Sequence, residues 1–389
     1  MGGVRIYLDH NATTPVDPAV AAAMTAVLTG DFGNPSSVHH FGQRAKGLLD
    51  DARSAVAGLI DGQPGDVVFT GSGTESDNAA IRGVAEALEA TGRRHLITTA
   101  IEHEAVLNTF KALAKRGWRT TYLPVDATGV VSPEALAAAI TDDTALVSAM
   151  HANNEVGTIQ PVAALAAIAK ARGAVMHTDA VQTAGKVPVS VTELGVDLLS
   201  LSAHKFNGPK GAGALWIRRG TRLAPFLTGG KQERGRRAGT ENVPAIAGLG
   251  AAAVLARAKL TAEGPRLSAL RDDLEARVLA AVPGTAVNGT GPRVPNTTNI
   301  SFDRVEAESL LIALDLEGIA VSTGSACSSG TLEPSHVLKA MGFPAHRAQN
   351  SIRFSFGAGN STADVDRVID ALPRVVEKLR SLTRPARRA

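Results

Sequence analysis

The chain has 389 residues, 44% hydrophobic and 20% charged, with 39 glycines and a formal net charge of +3. That balance belongs to a globular protein with a large core, and the length suits two domains or one large domain with a smaller one. No run approaches about twenty uninterrupted apolar residues, so no membrane span is expected. The N-terminus, Met1-Gly-Gly-Val-Arg-Ile-Tyr7, lacks the charged and apolar regions of a secretory signal, which leaves the cytoplasm as the expected compartment. The basic tail, Arg380 and then Arg384 to Arg388, reads as a solvated segment, and direct nucleic-acid binding is not expected of it. A single cysteine, Cys327, excludes an intrachain disulfide and a cysteine-cluster metal site, and no metal is expected.

In chain order, Asp17-Pro18 opens a helix, and Gly30 to Ser37 is a turn-rich break before a second helix reaching residue 61. Strands are predicted at 66–70, 94–99, 119–123, 145–150, 175–178, 198–202 and 214–217. Helices are predicted at 74–90, 105–116, 133–140 and 162–172. Strands alternating with helices specify an α/β fold with a mostly parallel central sheet flanked by helices. An alanine-rich helix over about 245–262 follows, and shorter elements after it indicate a smaller α+β domain. The expected division is a large domain over 16–260, and a small one formed by 1–15 and 261–389.

The segment Leu201-Ser-Ala-His-Lys-Phe-Asn-Gly-Pro-Lys-Gly211, with Thr178-Asp-Ala-Val-Gln182 upstream, carries the most chemistry. Lys205 offers an amine for a Schiff base, and Asp179 offers a carboxylate to keep a pyridine nitrogen protonated. Together they fit pyridoxal 5′-phosphate. Asp179 ends an apolar run where the carboxyl end of a parallel strand would lie, and ligands of open α/β sheets bind there. The plain alternative is a solvated lysine and a helix cap. Phe69-Thr-Gly-Ser-Gly-Thr-Glu-Ser-Asp-Asn78 joins a strand to a helix through glycines, an anion site in which Gly73 and Thr74 would meet a phosphate; a mere glycine turn is the alternative. Ser202 and His204 are further phosphate donors. His103 follows a strand and is placed to stack on the cofactor ring and move protons. Asn154 follows another strand. Arg353, in a probable strand, suits a bidentate carboxylate contact or, alternatively, a surface ion pair.

Cys327 lies in Ser322-Thr-Gly-Ser-Ala-Cys-Ser-Ser-Gly330, where seven of nine residues are Ser, Thr or Gly. Such a segment buries side chains poorly and is expected to be mobile, so the thiol reads as a nucleophile and not as a buried small hydrophobe.

Together these segments resemble the NifS/IscS-like cysteine desulfurases, enzymes of the class-V aminotransferase group with the fold type I of pyridoxal-phosphate proteins. The resemblance runs from Tyr7-Leu-Asp-His-Asn-Ala-Thr-Thr-Pro15 through Gly33-Asn-Pro35, Thr74 to Asn78, Glu102-His103, Asn153-Asn-Glu155, His204-Lys205, Gly208 to Gly211 and Arg237-Ala-Gly-Thr240, to Ile352-Arg-Phe-Ser355. It implies that Lys205 is the Schiff-base lysine, that Asp179 partners the pyridine nitrogen, and that Gln182 bonds the ring hydroxyl. It implies that Gly73, Thr74, Ser202 and His204 hold the phosphate, with Thr240 reaching in from a second subunit of a homodimer. Asn154 and Arg353 would hold the substrate carboxylate. Lys205 or His103 would take the α-proton of L-cysteine. Cys327 would take its sulfur as a persulfide, leave L-alanine, and pass the sulfur to an acceptor or scaffold protein. The style of the cysteine loop is that of the group I branch, and the chain is also similar to the DndA-type desulfurases. Iron–sulfur cluster assembly, tRNA thiolation and DNA phosphorothioation are the destinations such enzymes serve. Thr323, Asn207, Lys231 and Ala238 depart from the usual pattern without removing a reacting group. A class-V aminotransferase or selenocysteine lyase is the rival reading, and the first of these has no need of Cys327.

Overall fold

The computed structural model describes residues 5–324 and 334–382. In chain order its elements are β1 (Ile6–Tyr7), α1 (Pro18–Gly30), α2 (His40–Leu59), β2 (Val67–Thr70), α3 (Gly73–Glu89), β3 (His95–Thr99), α4 (Glu104–Ala114), β4 (Arg119–Leu123), α5 (Pro133–Ala139), β5 (Thr144–Ser148), α6 (Val162–Ala171), β6 (Val175–Asp179), α7 (Val191–Leu194), β7 (Leu198–Ser202) and β8 (Gly213–Ile217). After these come α8 (Val243–Ala281), β9 (Thr285–Asn288), β10 (Thr297–Phe302), α9 (Ala307–Leu316), β11 (Ile319–Ala320), α10 (His336–Ala340), α11 (Ala345–Gln349), β12 (Ser351–Ser355) and α12 (Thr362–Leu382).

Seven strands form the central sheet in the order β2-β8-β7-β6-β5-β3-β4. Only β8 runs against its neighbours; the other pairings are parallel. Side chains alternate along each strand, and both faces of the sheet are apolar. Phe69, Ile97, Val147, Leu199 and Trp216 point to one core with α1, α2, α5, α6 and α8. Val68, Leu96, Leu146, Leu198 and Leu215 point to the other, under α3 and α4. Close approach sharpens the first core: a Cβ at Gly250 of α8 would lie 2.6 Å from the Ala52 Cα of α2, so only glycine lets these helices pack at this distance.

The helix expected to stop near residue 262 runs on to Ala281, through Pro265. Between residues 254 and 266 it buries no side chain, and then Leu267, Leu270, Leu274 and Val278 enter a separate core. Proline inside a helix costs about 3 kcal/mol. Four buried aliphatic side chains, at about 1.5–3 kcal/mol each, outweigh that cost. Residue 260 therefore falls within one continuous helix that spans two cores. By length and composition α8 is also the one described helix apolar enough to cross a membrane. Here its apolar half packs against α1 and α2.

The second core lies under the antiparallel sheet β12-β10-β9, with α9 and α12. The N-terminal arm joins it: β1 pairs in parallel with β11, and Leu8 is fully buried there. The arm then turns back along the central sheet, and Thr14 N donates to His204 O at 2.9 Å.

Candidate active site

The carboxyl ends of β3, β5, β6 and β7 point at one cavity of about 390 Å³, which the N-terminal arm and the β12 region close from the other side. Its walls carry Thr74, His103, Asn154, Asp179, Gln182, Ser202, His204, Lys205 and Arg353, residues scattered over most of the chain.

At one end, Gly73 and Thr74 form the first turn of α3, whose N-cap Ser72 accepts from Glu75 N. That turn is the positive end of a 17-residue helix. Ser202 Oγ lies against it, buried and without a partner. A Cβ at Gly73 would stand 2.9 Å from Val181 Cγ2 and 3.4 Å from Ser202 Cβ, filling the cradle. An orphaned hydroxyl, a helix N-terminus and an open glycine fit a phosphate. His204 Nδ1 lies 3.1 Å from Thr13 Oγ1, and burial, with Lys205 nearby, brings its pKa down to about 4.

Lys205 follows β7 in a single 3₁₀ turn, and its Nζ donates to Asn11 O at 2.5 Å and Ala12 O at 2.8 Å. Burial, then the Arg353 charge, lowers its pKa to about 8, while Asp179 and Asp9 pull the other way. Asp179, the last residue of β6, is buried and accepts from Val181 N at 2.8 Å. Burial raises its pKa, and the Val181 bond and the charges of His103 and Lys205 oppose that rise. A buried carboxylate with one hydrogen bond still has room for a cationic N–H partner. His103 caps α4, and its Nδ1 accepts from Ala105 N at 3.1 Å. The ring proton of the neutral form therefore sits on Nε2, and burial lowers the ring's pKa below the usual histidine value. Lysine, carboxylate and phosphate cradle around one cavity fit pyridoxal 5′-phosphate.

Arg353, in β12, is buried and not on the surface. It donates to Asn154 O at 2.9 Å and to Asp9 Oδ1 at 2.6 Å, and its Nε is buried without a partner. Asn154 lines the cavity beside it. Thr240 does not join the site in its own chain; it is exposed at the end of the 231–240 loop. Cys327 lies outside the described residues.

Several participants were not singled out by sequence reasoning. Asn11 is a hub: its carbonyl accepts from Lys205 and Gln182, its Oδ1 from Lys186 and Asn296, and its Nδ2 donates to Thr297 Oγ1 and Asn154 O. Asp77 also lines the cavity; burial first and then Asp179 raise its pKa well above the usual carboxyl range. It lies 3.7 Å from His177 Nε2, and burial holds that ring's pKa at about 3, so the ring is uncharged and the contact is not an ion pair. Glu102, buried below the site, is pushed up to about 8, chiefly by burial. Asn11, Asp77 and Glu102 all stand inside motifs quoted above. Their residue types were visible, but their partners come from distant segments. Among the described residues no cluster of metal-ligating side chains occurs.

Comparison with known proteins agrees with this geometry. The family model for aminotransferase class-V matches residues 6–368. The chain belongs to the aminotransferase class-V family. A curated relative, cysteine desulfurase IscS of Dictyoglomus turgidum, is 50% identical over 97% of this chain and 96% of its own length. Among solved structures, a NifS-like protein superposes with a TM-score of 0.90 at 40% identity, covering 97% of this chain and all of its own. DndA from Streptomyces lividans superposes with a TM-score of 0.76 at 39% identity, over 91% of this chain and 98% of its own. The family is pyridoxal-phosphate-dependent, and the cavity of this class-V chain carries the side chains for that cofactor.

Proposed function

We propose that the protein is a cysteine desulfurase that binds pyridoxal 5′-phosphate, converts L-cysteine to L-alanine, and carries the released sulfur as a persulfide on Cys327. The observation that carries this reading is the single cavity gathering Lys205, Asp179, His103, Arg353 and the Gly73–Thr74–Ser202 cradle. When bound, the cofactor supplies an electron sink for the substrate's α-carbon.

The reading gives each residue a role that the geometry supports. Gly73, Thr74, Ser202 and His204 hold the phosphate. Asp179 holds the proton on the ring nitrogen. Gln182 donates to the ring oxygen. Arg353 has a free buried Nε beside Asn154, and the two orient the substrate carboxylate. Lys205, with a pKa near 8, is partly neutral at pH 7 to 8 and moves the α-proton; His103 Nε2 stands ready to relay it. The Cys327 thiolate attacks the substrate sulfur. An S–S bond forms, the substrate C–S bond breaks, and the three-carbon fragment takes a proton to become L-alanine. An acceptor protein or scaffold then removes the outer sulfur. A lone thiol suits the reducing cytoplasm, the compartment we assign.

The same reading makes the enzyme a homodimer, with Thr240 of each chain completing the other's phosphate site. The exposed apolar side chains Leu28, Phe32, Val38 and Phe41 support a second copy covering that face. An active monomer in light scattering overturns the dimer. The test of function is incubation with L-cysteine in two arms. With a thiol reductant, which reduces the persulfide, sulfide and alanine are expected in equal amounts. Without added reductant, in a single turnover, the Cys327 peptide is weighed for one extra, reducible sulfur. Alanine without that sulfur points to a different class-V reaction and overturns the reading.

A further inference from the structure

The mechanism above makes no use of Lys186, yet this lysine is hydrogen-bonded to two residues of the cavity wall. Its Nζ donates to Gln182 Oε1 at 2.7 Å and to Asn11 Oδ1 at 3.1 Å. Among the described residues no carboxylate pairs with it, and burial takes its pKa well below the usual lysine range. This half-buried amine has no counter-charge and gives both of these hydrogen bonds to neutral side chains of the cavity wall, which points to a role other than charge pairing.

Gln182 shows what it does. An amide offers one oxygen and two N–H groups, and it can rotate to exchange them. Here Oε1 faces Lys186, and Nε2 donates one N–H to Asn11 O at 3.0 Å. The second N–H is what remains for the cavity that Gln182 lines. A flipped amide would bring Oε1 against the Asn11 carbonyl, oxygen against oxygen, and give up the acceptor that Lys186 holds. Asn11 cannot turn to relieve this. Its Nδ2 is held by Thr297 and Asn154, and its Oδ1 also accepts from Asn296 at 3.1 Å. The same Asn11 carbonyl accepts from Lys205, so the lock stands directly beside the reactive amine.

We propose that Lys186 is a positioning residue that fixes the Gln182 amide so that a hydrogen-bond donor, and not an acceptor, faces the cofactor beside Lys205. The matching ligand atom is an electron-rich oxygen on the ring edge. This rests on the reading of the cavity as a pyridoxal-phosphate site.

The test uses the cofactor-loaded full-length protein and follows the pH at which its visible band titrates, together with the cofactor dissociation constant. A ring oxygen that loses a fixed donor becomes more basic. Lys186→Met is therefore expected to raise the titration midpoint by about half to one pH unit, a roughly three- to tenfold change, and to weaken cofactor binding by a similar factor. In a Gln182→Leu background the same substitution is expected to change either quantity by less than about twofold, because no amide is left to hold. An unchanged midpoint in folded Lys186→Met overturns the proposal, as does a full shift that persists in the Gln182→Leu background. Where Lys186→Met does not fold, a crystal structure of the loaded wild type at about 1 Å resolution decides, since amide N and O are then distinguishable. Gln182 oxygen toward the ring overturns the proposal. A wild type that binds no pyridoxal phosphate overturns the functional reading and this inference together, whereas the variant results sink only the inference.

Discussion

The loop that carries Thr240 is anchored by a buried ion pair, and Glu233→Ala tests what that anchor contributes. Arg53 of α2 donates to Glu233 Oε2 at 2.8 Å and Oε1 at 2.7 Å, a bidentate pair with side chains 10% and 2% exposed. Glu233 Oε2 also accepts from Phe69 N at 3.0 Å, and the Arg53 guanidinium sits 4.6 Å from the Phe69 ring centroid. The pair thus ties the 231–240 loop to β2 at the edge of the sheet. Glu233 and Arg234 hold positive φ values of 46° and 59°, so the backbone there is itself strained and depends on this anchor. Removing the carboxylate leaves a buried guanidinium uncompensated, which costs about 3–5 kcal/mol. At about 2.1 cal/mol/K per residue, a chain of 389 residues unfolds with about 0.8 kcal/mol/K of entropy. Glu233→Ala is therefore expected to lower Tm by about 4–6 °C in a calorimetric melt. Arg53→Met combined with Glu233→Leu should regain part of that loss, because an apolar pair strands no charge. A Glu233→Ala protein melting within about 1 °C of wild type would refute the argument.

Four further outcomes are expected. Glu102 has a folded pKa of about 8, above its ordinary 4.5, so the folded state keeps a proton that the unfolded chain releases. Wild-type stability should fall between about pH 4.5 and pH 8, and Glu102→Gln should flatten that fall in melts across the window; parallel curves contradict it. Cofactor loading of the apoprotein needs a neutral Lys205, so its rate, read from the visible band, should rise through about pH 8, and a half-rise above about pH 10 refutes the burial argument. Gly73→Ala puts a methyl group 2.9 Å from Val181 Cγ2 and should raise the cofactor dissociation constant at least about fivefold in a fluorescence titration, with an unchanged constant counting against the phosphate cradle. Cys327→Ser should keep the visible band and yield almost no sulfide from L-cysteine, because the chain has no second cysteine; wild-type turnover in that variant would sink the persulfide mechanism.

What was legible in the sequence divides along a physical line. Local pattern reached everything that depends on neighbours a few residues away: the alternating strands, the glycine turn before α3, Asp179 at a strand end and Lys205 just past the next one. It did not reach contacts between distant segments. The alanine-rich pattern read as ending near residue 262, because the core that holds Leu267 to Val278 is assembled from β10, β12, α9 and α12. Arg353 also read as a surface ion pair, and the structure does give it an acidic partner, but Arg353 is buried and the partner is the half-buried Asp9, 344 residues away in sequence. Asn11 stood in a quoted motif with no role, although its side chain and carbonyl bridge β10, the residues after β5, and the two lysines. These contacts have one feature in common. Asp9 and Asn11 come from the arm that β1 pins to the second core, while Lys205, Gln182 and Asn154 come from the central sheet. The amine at the centre of the site is thus held by carbonyls that belong to the other half of the molecule. A change in how the two cores meet would move Asn11 and Ala12 against Lys205 before it disturbed either core. The arm, more than any single strand, therefore sets where the reactive lysine sits.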